Sequence, residues 1–113
     1  MLRNAPPHRM DITPESLDTM LGHAHDAADF LKAISHEGRL MILCHLATGE
    51  KTVTELEDLL SARQAAVSQQ LSRLRTERLV TPRREGKAIY YRLTDHRAIT
   101  MLEVVYDLFC KQP

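Results

Sequence analysis

Two cysteines, Cys44 and Cys110, carry the most reactive side chains of this sequence. A thiolate is both a nucleophile and a metal ligand, and a second thiol can trap the first oxidation product as a reversible bridge. The two residues lie 66 positions apart and no CxxC motif is present, so the sequence does not indicate a thioredoxin-like redox centre. A single cysteine on an apolar helix face more often serves as a small hydrophobic residue, and the residue types alone leave that interpretation open.

Six histidines are the other candidate metal ligands, but their spacing does not form a site. His23 and His25 are two positions apart on a predicted helix and therefore do not share a face. Cys44, His45 and Cys110 supply at most three zinc ligands, and no fourth is evident. We predict no metal and no cofactor. Neither a Gly-rich phosphate loop nor a catalytic carboxylate pair is present, so we predict a non-enzymatic protein, with a sulfurtransferase or thiol reductase as the alternative.

Charge is distributed unevenly, although 15 basic and 15 acidic residues give a net charge of zero. Residues 63–92 contain eight Lys and Arg and two Glu, whereas residues 1–62 contain five basic and ten acidic residues. A basic segment within an otherwise acidic chain indicates an anionic partner, and the phosphate backbone of a nucleic acid is the partner we favour. Charge alone is equally compatible with a solvated basic surface.

The composition is typical of one small globular domain, because the 113 residues are 43% hydrophobic and 27% charged. No apolar run approaches 18 residues, so we predict no membrane span. Two cysteines are too few for a secreted disulfide scaffold, and the reducing cytosol is the expected compartment. Residues 1–13 include Pro6 and Pro7 without a periodic apolar pattern, which predicts a mobile arm ahead of a domain at residues 14–113.

Apolar periodicity predicts a mainly α domain with a small β-hairpin, in the order ααααββα. The predicted helices cover residues 14–33, 36–47, 55–60, 61–78 and 96–110, with caps at Thr13, Ser35, Thr54, a Ser61–Gln64 capping box, and Thr94 with Asp95. Val67, Leu71 and Leu74 are the predicted buried stripe of the fourth helix. The hairpin turns at residues 85–87, and Pro82 predicts that its first strand lies at a sheet edge.

The third and fourth helices and the hairpin together predict a winged helix-turn-helix. In such a unit the second helix enters the major groove and its N-terminal residues reach base edges. We predict base and phosphate contacts from the exposed side of this helix at Gln64, Ser68, Gln69, Ser72 and Arg73. At the hairpin tip we predict contacts to the DNA backbone or minor groove from Arg83, Arg84 and Lys87. Capping or solvation explains each of these residues equally well when it is taken singly.

The last helix is apolar around much of its circumference. One stripe contains Ile99, Leu102, Tyr106 and Phe109, and the residues that widen it are Met101, Val104, Val105 and Leu108. A terminal helix of so short a chain has too little of its own domain to cover both faces. We therefore predict a homodimer built on the last and first helices, with a helix lying in its own core as the alternative.

The segment from residue 31 to residue 110 resembles the ArsR/SmtB family of dimeric winged-helix repressors. The resemblance is carried by the opening helices at residues 30–43, the recognition helix at residues 66–74 and the wing at residues 86–93. It implies a transcriptional repressor that binds an inverted-repeat operator in double-stranded DNA and is released by an inducer.

Two patterns within this family concern the inducer. Family members that sense metals carry Cys-x-Cys before the recognition helix or Asp-x-His early in the last helix. Here the first motif is absent, and the second reads Asp95-His96-Arg97, whose arginine would repel a cation. A dithiol subgroup that responds to persulfides carries one cysteine on each helix where Cys44 and Cys110 lie.

The resemblance to the dithiol subgroup implies that a persulfide reacts with one thiolate and that the two cysteines become linked, directly or through added sulfur. It also implies that this linkage switches off DNA binding. We expect His36 or His45 to lower the pKa of Cys44. The alternatives are a peroxide or general thiol sensor that forms a direct disulfide, a metal sensor, and an architectural DNA-binding protein without a ligand.

Overall fold

The structure is a computed structural model that describes residues 12–111, with Gln64 described through its backbone. Of the mobile arm predicted at residues 1–13, residues 1–11 lie outside the described part of the chain. The described residues form five helices and three strands: α1 (Pro14–Ile34), α2 (Glu37–Leu46), β1 (Lys51–Thr52), α3 (Val53–Leu60), α4 (Gln64–Thr76), β2 (Val80–Glu85), β3 (Ala88–Leu93) and α5 (His96–Phe109). This order confirms the predicted winged helix-turn-helix.

The core lies where α2, α3 and α4 meet the base of the wing. Val67, Leu71 and Leu74 are at most 2% exposed, which confirms the predicted buried stripe of α4. The core also contains Ala33, Ile34, Ile42, Leu43, Leu46, Leu56, Leu79 and Val80. Because these contacts fix one face of α4, its opposite face is directed to solvent.

The wing is a three-stranded antiparallel sheet with the strand order β1-β3-β2. The strands β2 and β3 form the predicted hairpin, and Gly86 lies in its turn with φ +63°, a value that suits glycine. Pro82 lies in β2 at the sheet edge, as predicted. The sequence did not predict β1, in which Lys51 pairs with Tyr91 and Thr52 with Tyr90, because two residues are too few to show a period.

The caps of α1 and α5 confirm the sequence prediction, whereas those of α3 and α4 differ from it. The hydroxyl of Thr52 caps α3 and forms a capping box with Glu55, so the cap predicted at Thr54 is wrong. Pairing of β1 with β3 holds Thr52 in the extended conformation that a cap requires. Ser61 is left-handed, with φ 52°, and ends α3. The capping box predicted from Ser61 is therefore also wrong, and α4 begins after Arg63 without a side-chain cap.

The second helix is capped by a histidine rather than by the predicted Ser35. The Nδ1 atom of His36 accepts hydrogen bonds from the backbone N–H groups of Gly38 and Arg39, at 3.0 and 3.3 Å. Ser35 instead ends α1, where its N–H donates to the carbonyl of Leu31. The serine cannot begin α2 because its backbone completes the last turn of the preceding helix.

Replacing His36 by alanine is expected to lower the free energy of unfolding by about 1 kcal/mol, because two backbone donors lose their acceptor. His36→Asn retains an acceptor and should recover most of the loss. Urea unfolding followed by circular dichroism measures both effects. Ser35→Ala is the matched control, with an expected change within about 0.5 kcal/mol. A larger effect from Ser35→Ala than from His36→Ala would contradict the assignment of the cap.

The first helix is attached to the rest of the protomer mainly through its C-terminal end. Of its 21 residues, Ala33 and Ile34 are buried, and Phe30 packs against the core and under the guanidinium of Arg97 from α5. The radius of gyration is 16.5 Å, against about 13 Å for a compact domain of 100 residues. The N-terminal part of α1 therefore projects from the domain. No helix within residues 12–111 is long and apolar enough to cross a membrane.

Candidate nucleic-acid interface and dithiol site

The exposed face of α4 presents most of the predicted DNA-contacting residues together. Gln69, Ser72 and Arg73 are exposed and stand three and four positions apart, so their side chains lie on one face, with half-buried Ser68 at its edge. Gln64 is the first residue of the helix. The arrangement gives hydrogen-bonding groups and one cation on a solvent-facing helix, which is the chemistry that reads base edges.

The three cations predicted at the wing are not equivalent. Arg84 and Lys87 are exposed, and neither pairs with a carboxylate among the described residues. Arg83 instead donates to Glu50, with Nη2 at 2.7 Å and Nε at 3.3 Å from carboxylate oxygens, and it pairs with Glu85 through Nη1. The guanidinium of Arg83 is therefore already satisfied by two carboxylates.

The electrostatics of this cluster agree with its geometry. The hydrogen bond from Arg83 is the main reason that the pKa of Glu50 lies below its usual range. The same bond, with that to Glu85, raises the pKa of Arg83. Arg83 also stacks over the ring of Tyr90, 4.9 Å from its centroid. Sequence reasoning missed Glu50 because only the pairing of β1 with β3 brings it beside the wing.

Cys44 and Cys110 are free thiols in different surroundings. Cys44 is partly buried on α2, whereas Cys110 is exposed and is the C-cap residue of α5. An open, mostly apolar groove of about 430 Å³ lies between the two helices beside Cys44, and it is lined by Cys44, Ala47, Ile99, Leu102, Glu103, Tyr106 and Asp107. The thiol of Cys44 therefore faces the helix that ends in Cys110.

Burial raises the pKa of the Cys44 thiol, and repulsion by the Cys110 thiolate raises it further. Cys110 lies one helical turn after Tyr106 and donates its backbone N–H to the Tyr106 carbonyl at 2.8 Å, and Tyr106 lines the groove beside Cys44. The fold thus brings two cysteines that are distant in the chain to the same side of one protomer. The expectation that His36 or His45 lowers the pKa of Cys44 is wrong, because neither affects it and His36 caps the opposite end of α2.

Histidines, cysteines and carboxylates do not cluster as metal ligands in the described part of the chain. No group of three or more such residues at positions 12–111 lies close enough to hold an ion. Asp95, which begins the family-like Asp95-His96-Arg97 segment, accepts hydrogen bonds from the backbone and the guanidinium of Arg97. These bonds, the side-chain bond first, lower the pKa of Asp95. Its carboxylate therefore caps α5 and pairs with an arginine.

The sequence matches a family model described as bacterial regulatory protein, arsR family, over residues 36–81. It is 44% identical over 101 residues to the biofilm growth-associated repressor of Agrobacterium fabrum, covering 89% of this chain and 86% of that protein. It is 39% identical over 112 residues to the repressor of the same name from Xylella fastidiosa strain Temecula1, covering 99% and 93%.

The fold is similar to the crystal structure of the transcriptional repressor BigR from Xylella fastidiosa, with a TM-score of 0.79 and 40% sequence identity. The match covers 89% of this chain and all of that one. The sequence comparison and the structure comparison thus both include the opening helices, the recognition helix and the wing of this chain. The chain belongs to the ArsR family of bacterial regulatory proteins.

Proposed function

We propose that this protein is a dimeric transcriptional repressor whose affinity for operator DNA falls when a persulfide links Cys44 to Cys110. The observation that carries the proposal is geometric: Cys44 lines the groove between α2 and α5 together with Tyr106, and the free thiol of Cys110 follows Tyr106 by one helical turn. Relatives that share most of the chain are named as repressors, which supports the regulatory part of the proposal.

The DNA partner is a double-stranded operator with inverted-repeat symmetry. Gln69 pairs with adenine and Arg73 with guanine or phosphate, in keeping with the geometry of those side chains. Gln64, Ser68 and Ser72 complete the surface that enters the major groove. The wing binds the phosphate backbone through Arg84 and Lys87 near its tip, neither of which pairs with a carboxylate among residues 12–111.

The dimer is formed by the apolar faces of α1 and α5. On α1, Leu17, Met20 and Leu21 are 47–77% exposed although they recur at helical spacing. The α5 residues Val104 and Leu108 are similarly exposed, whereas Met101 and Leu102 pack against the core. A projecting helix with an uncovered apolar stripe is stabilised when a second copy covers it.

In the first chemical step, the exposed Cys110 thiolate attacks the outer sulfur of a small persulfide, RSSH. The S–S bond of the donor breaks, RS⁻ leaves and takes up the proton that Cys110 released, and Cys110 becomes a persulfide. Cys110 reacts first because it is solvent-accessible, whereas burial raises the pKa of Cys44 and so lowers its thiolate fraction.

In the second step, the Cys44 thiolate attacks the protein-bound sulfur of the Cys110 persulfide. That S–S bond breaks and HS⁻ leaves with the proton from Cys44, so two thiols and one RSSH yield a disulfide, RSH and hydrogen sulfide. If a second RSSH first converts Cys44 to a persulfide, loss of one hydrogen sulfide from the two persulfides leaves a trisulfide. The outer sulfur of the donor is the oxidant in both cases.

The bridge affects DNA binding because it joins two elements with different tasks. The α2 helix belongs to the domain body that packs against α4, whereas α5 carries part of the dimer face. A shift between them changes the separation of the two recognition helices, which must match half-sites about one helical turn apart. A coupling of roughly 1–3 kcal/mol is enough to weaken binding about 5- to 150-fold.

The test is to titrate the reduced protein with an inverted-repeat operator fragment before and after treatment with a persulfide donor. We expect weaker binding after treatment, together with release of hydrogen sulfide or inserted sulfur atoms in a Cys44–Cys110 cross-linked peptide by mass spectrometry. A cross-linked protein that binds with unchanged affinity would overturn the switch. Equal release by hydrogen peroxide, with a direct disulfide, would favour the general thiol-redox alternative.

Bridge closure is expected to accelerate as the pH rises from 7 to 8, because the raised pKa of Cys44 keeps it mostly protonated at neutral pH. Below that pKa the thiolate fraction grows roughly tenfold per pH unit. Stopped-flow mixing followed by acid quench and mass spectrometry measures the closure rate. The first step, followed alone in Cys44→Ser, is the control. A closure rate that does not change with pH would contradict attack by Cys44.

The salt dependence of operator binding is expected to distinguish the wing cations. Arg84→Ala and Lys87→Ala should each reduce the slope of log affinity against log salt by roughly 1.8, because each removes one phosphate contact from each protomer of the dimer, at about 0.9 per contact. Arg83→Ala should change it by less than half as much, since Glu50 and Glu85 already neutralise that guanidinium. Fluorescence anisotropy at several salt concentrations measures the slopes. A slope reduction in Arg83→Ala as large as that in Arg84→Ala would show that Arg83 exchanges its carboxylates for phosphate.

A further inference from the structure

Arg39 connects the end of the projecting helix α1 to the recognition helix α4. Its Nε donates to the carbonyl of Ala33, and its Nη2 donates to the carbonyl of Lys32 at 3.1 Å. Its Nη1 donates to Oε1 of Gln70 on α4 at 2.9 Å. One rigid guanidinium on α2 therefore holds three points that belong to two other helices.

Both ends of this connection are sites where a polar contact is needed. The last carbonyls of an α-helix have no partner within the helix, and Arg39 satisfies two of them in α1. Gln70 is half-buried beside Gln69, and its side chain turns towards α2 instead of towards solvent. Burial first, and the charge of Arg73 second, lower the pKa of Arg39, so the contact forms against an electrostatic cost.

The angle between α1 and α4 has consequences at the DNA because of the length of α1. A helix of 21 residues is about 30 Å long, so a rotation of roughly 6° at its anchored end moves the free end by about 3 Å. That displacement is close to the rise of one DNA base pair, about 3.4 Å. A small rotation of α1 at its anchored end therefore displaces its free end, which lies in the proposed dimer interface, by about one base-pair step.

We propose that the contact of Arg39 with Gln70 and the end of α1 sets the half-site spacing that the dimer accepts. Arg39 and Gln70 are positioning residues: they hold the dimer-forming helix at a fixed angle to the helix that reads bases. This inference rests on the DNA-binding and dimer parts of the proposed function and is independent of the cysteine switch.

The side-chain chemistry suggests two variants that break the contact. Arg39→Lys keeps the charge but cannot reach three acceptors, because an ammonium lacks the planar fork of a guanidinium. Gln70→Leu removes the acceptor on α4 and nearly preserves side-chain volume, so it tests the contact even if Arg39→Lys is poorly folded. Lys32→Gln is the matched control, since Lys32 contributes a backbone carbonyl that the substitution retains.

The experiment measures Kd for three operator fragments. One has the preferred separation between half-sites, one is shorter by one base pair and one is longer by one base pair. We expect wild type and Lys32→Gln to prefer one spacing by tenfold or more. Arg39→Lys and Gln70→Leu should reduce that preference at least fivefold while circular dichroism shows a folded protein. Folded variants that bind every fragment more weakly with the preference unchanged would overturn the inference. Wild-type protein that fails to bind any fragment would instead overturn the proposed function.

Discussion

Serine at either Cys44 or Cys110 is expected to abolish the release of operator DNA by a persulfide donor. The wild-type protein should lose about 5- to 150-fold in affinity on treatment, whereas each variant should keep its untreated affinity within about twofold. Either substitution removes one end of the bridge, so the donor can no longer tie α2 to α5. Titration of the treated and untreated proteins with one fluorescent operator fragment gives the comparison directly.

The two serine variants should differ in what they retain. Cys44→Ser keeps the exposed thiol of Cys110 and should gain sulfur as a persulfide without releasing DNA. Cys110→Ser keeps only the partly buried thiol with the raised pKa and should react more slowly. Full induction of Cys44→Ser would show that modification of Cys110 is sufficient and that no bridge is needed.

A dimer interface on α1 and α5 predicts that two added charges separate the protomers. In the double variant Leu21→Glu with Val104→Glu, a carboxylate replaces an exposed apolar side chain on each helix. We expect a monomer by analytical ultracentrifugation and an operator affinity about 10²- to 10⁴-fold lower, because the second half-site no longer binds as part of the same molecule. The fold should persist, since neither residue belongs to the core.

The control for association is Leu59→Glu. Leu59 is 49% exposed, similar to Val104 at 45%, but it lies on α3 outside the proposed interface. The variant should sediment like the wild type, which separates the effect of location from the effect of a surface charge. A wild-type protein that is already monomeric at micromolar concentration, or a dimeric double variant, would contradict this interface.

Elements whose signal is local were predictable from the sequence. The apolar stripe at Val67, Leu71 and Leu74 repeats at the period of a helix, and Asp95 precedes α5 where a cap belongs. The caps of α2 and α3 were not predicted, because they depend on the neighbouring element. Ser35 completes α1, and Thr52 is held in position by a strand of two residues.

The candidate site divides in the same way. The exposed face of α4 follows from its buried face, so Gln69 and Arg73 could be chosen from the sequence. The partners of Arg83 and Arg39 could not, because Glu50 and Gln70 lie more than 30 positions away and meet them through tertiary packing. The pKa of Cys44 likewise depends on burial against α5, and sequence neighbours such as His45 gave the wrong direction.

The outer strand of the wing has a consequence for how the protein behaves at high concentration. A strand at a sheet edge offers unpaired backbone groups on which another chain can add, and such growth leads to fibrils. In β2, Pro82 lacks a backbone donor, and Arg83, Arg84 and Glu85 place charge along the following residues. These features disfavour edge-to-edge stacking, so the hairpin can extend towards DNA without serving as a template for aggregation.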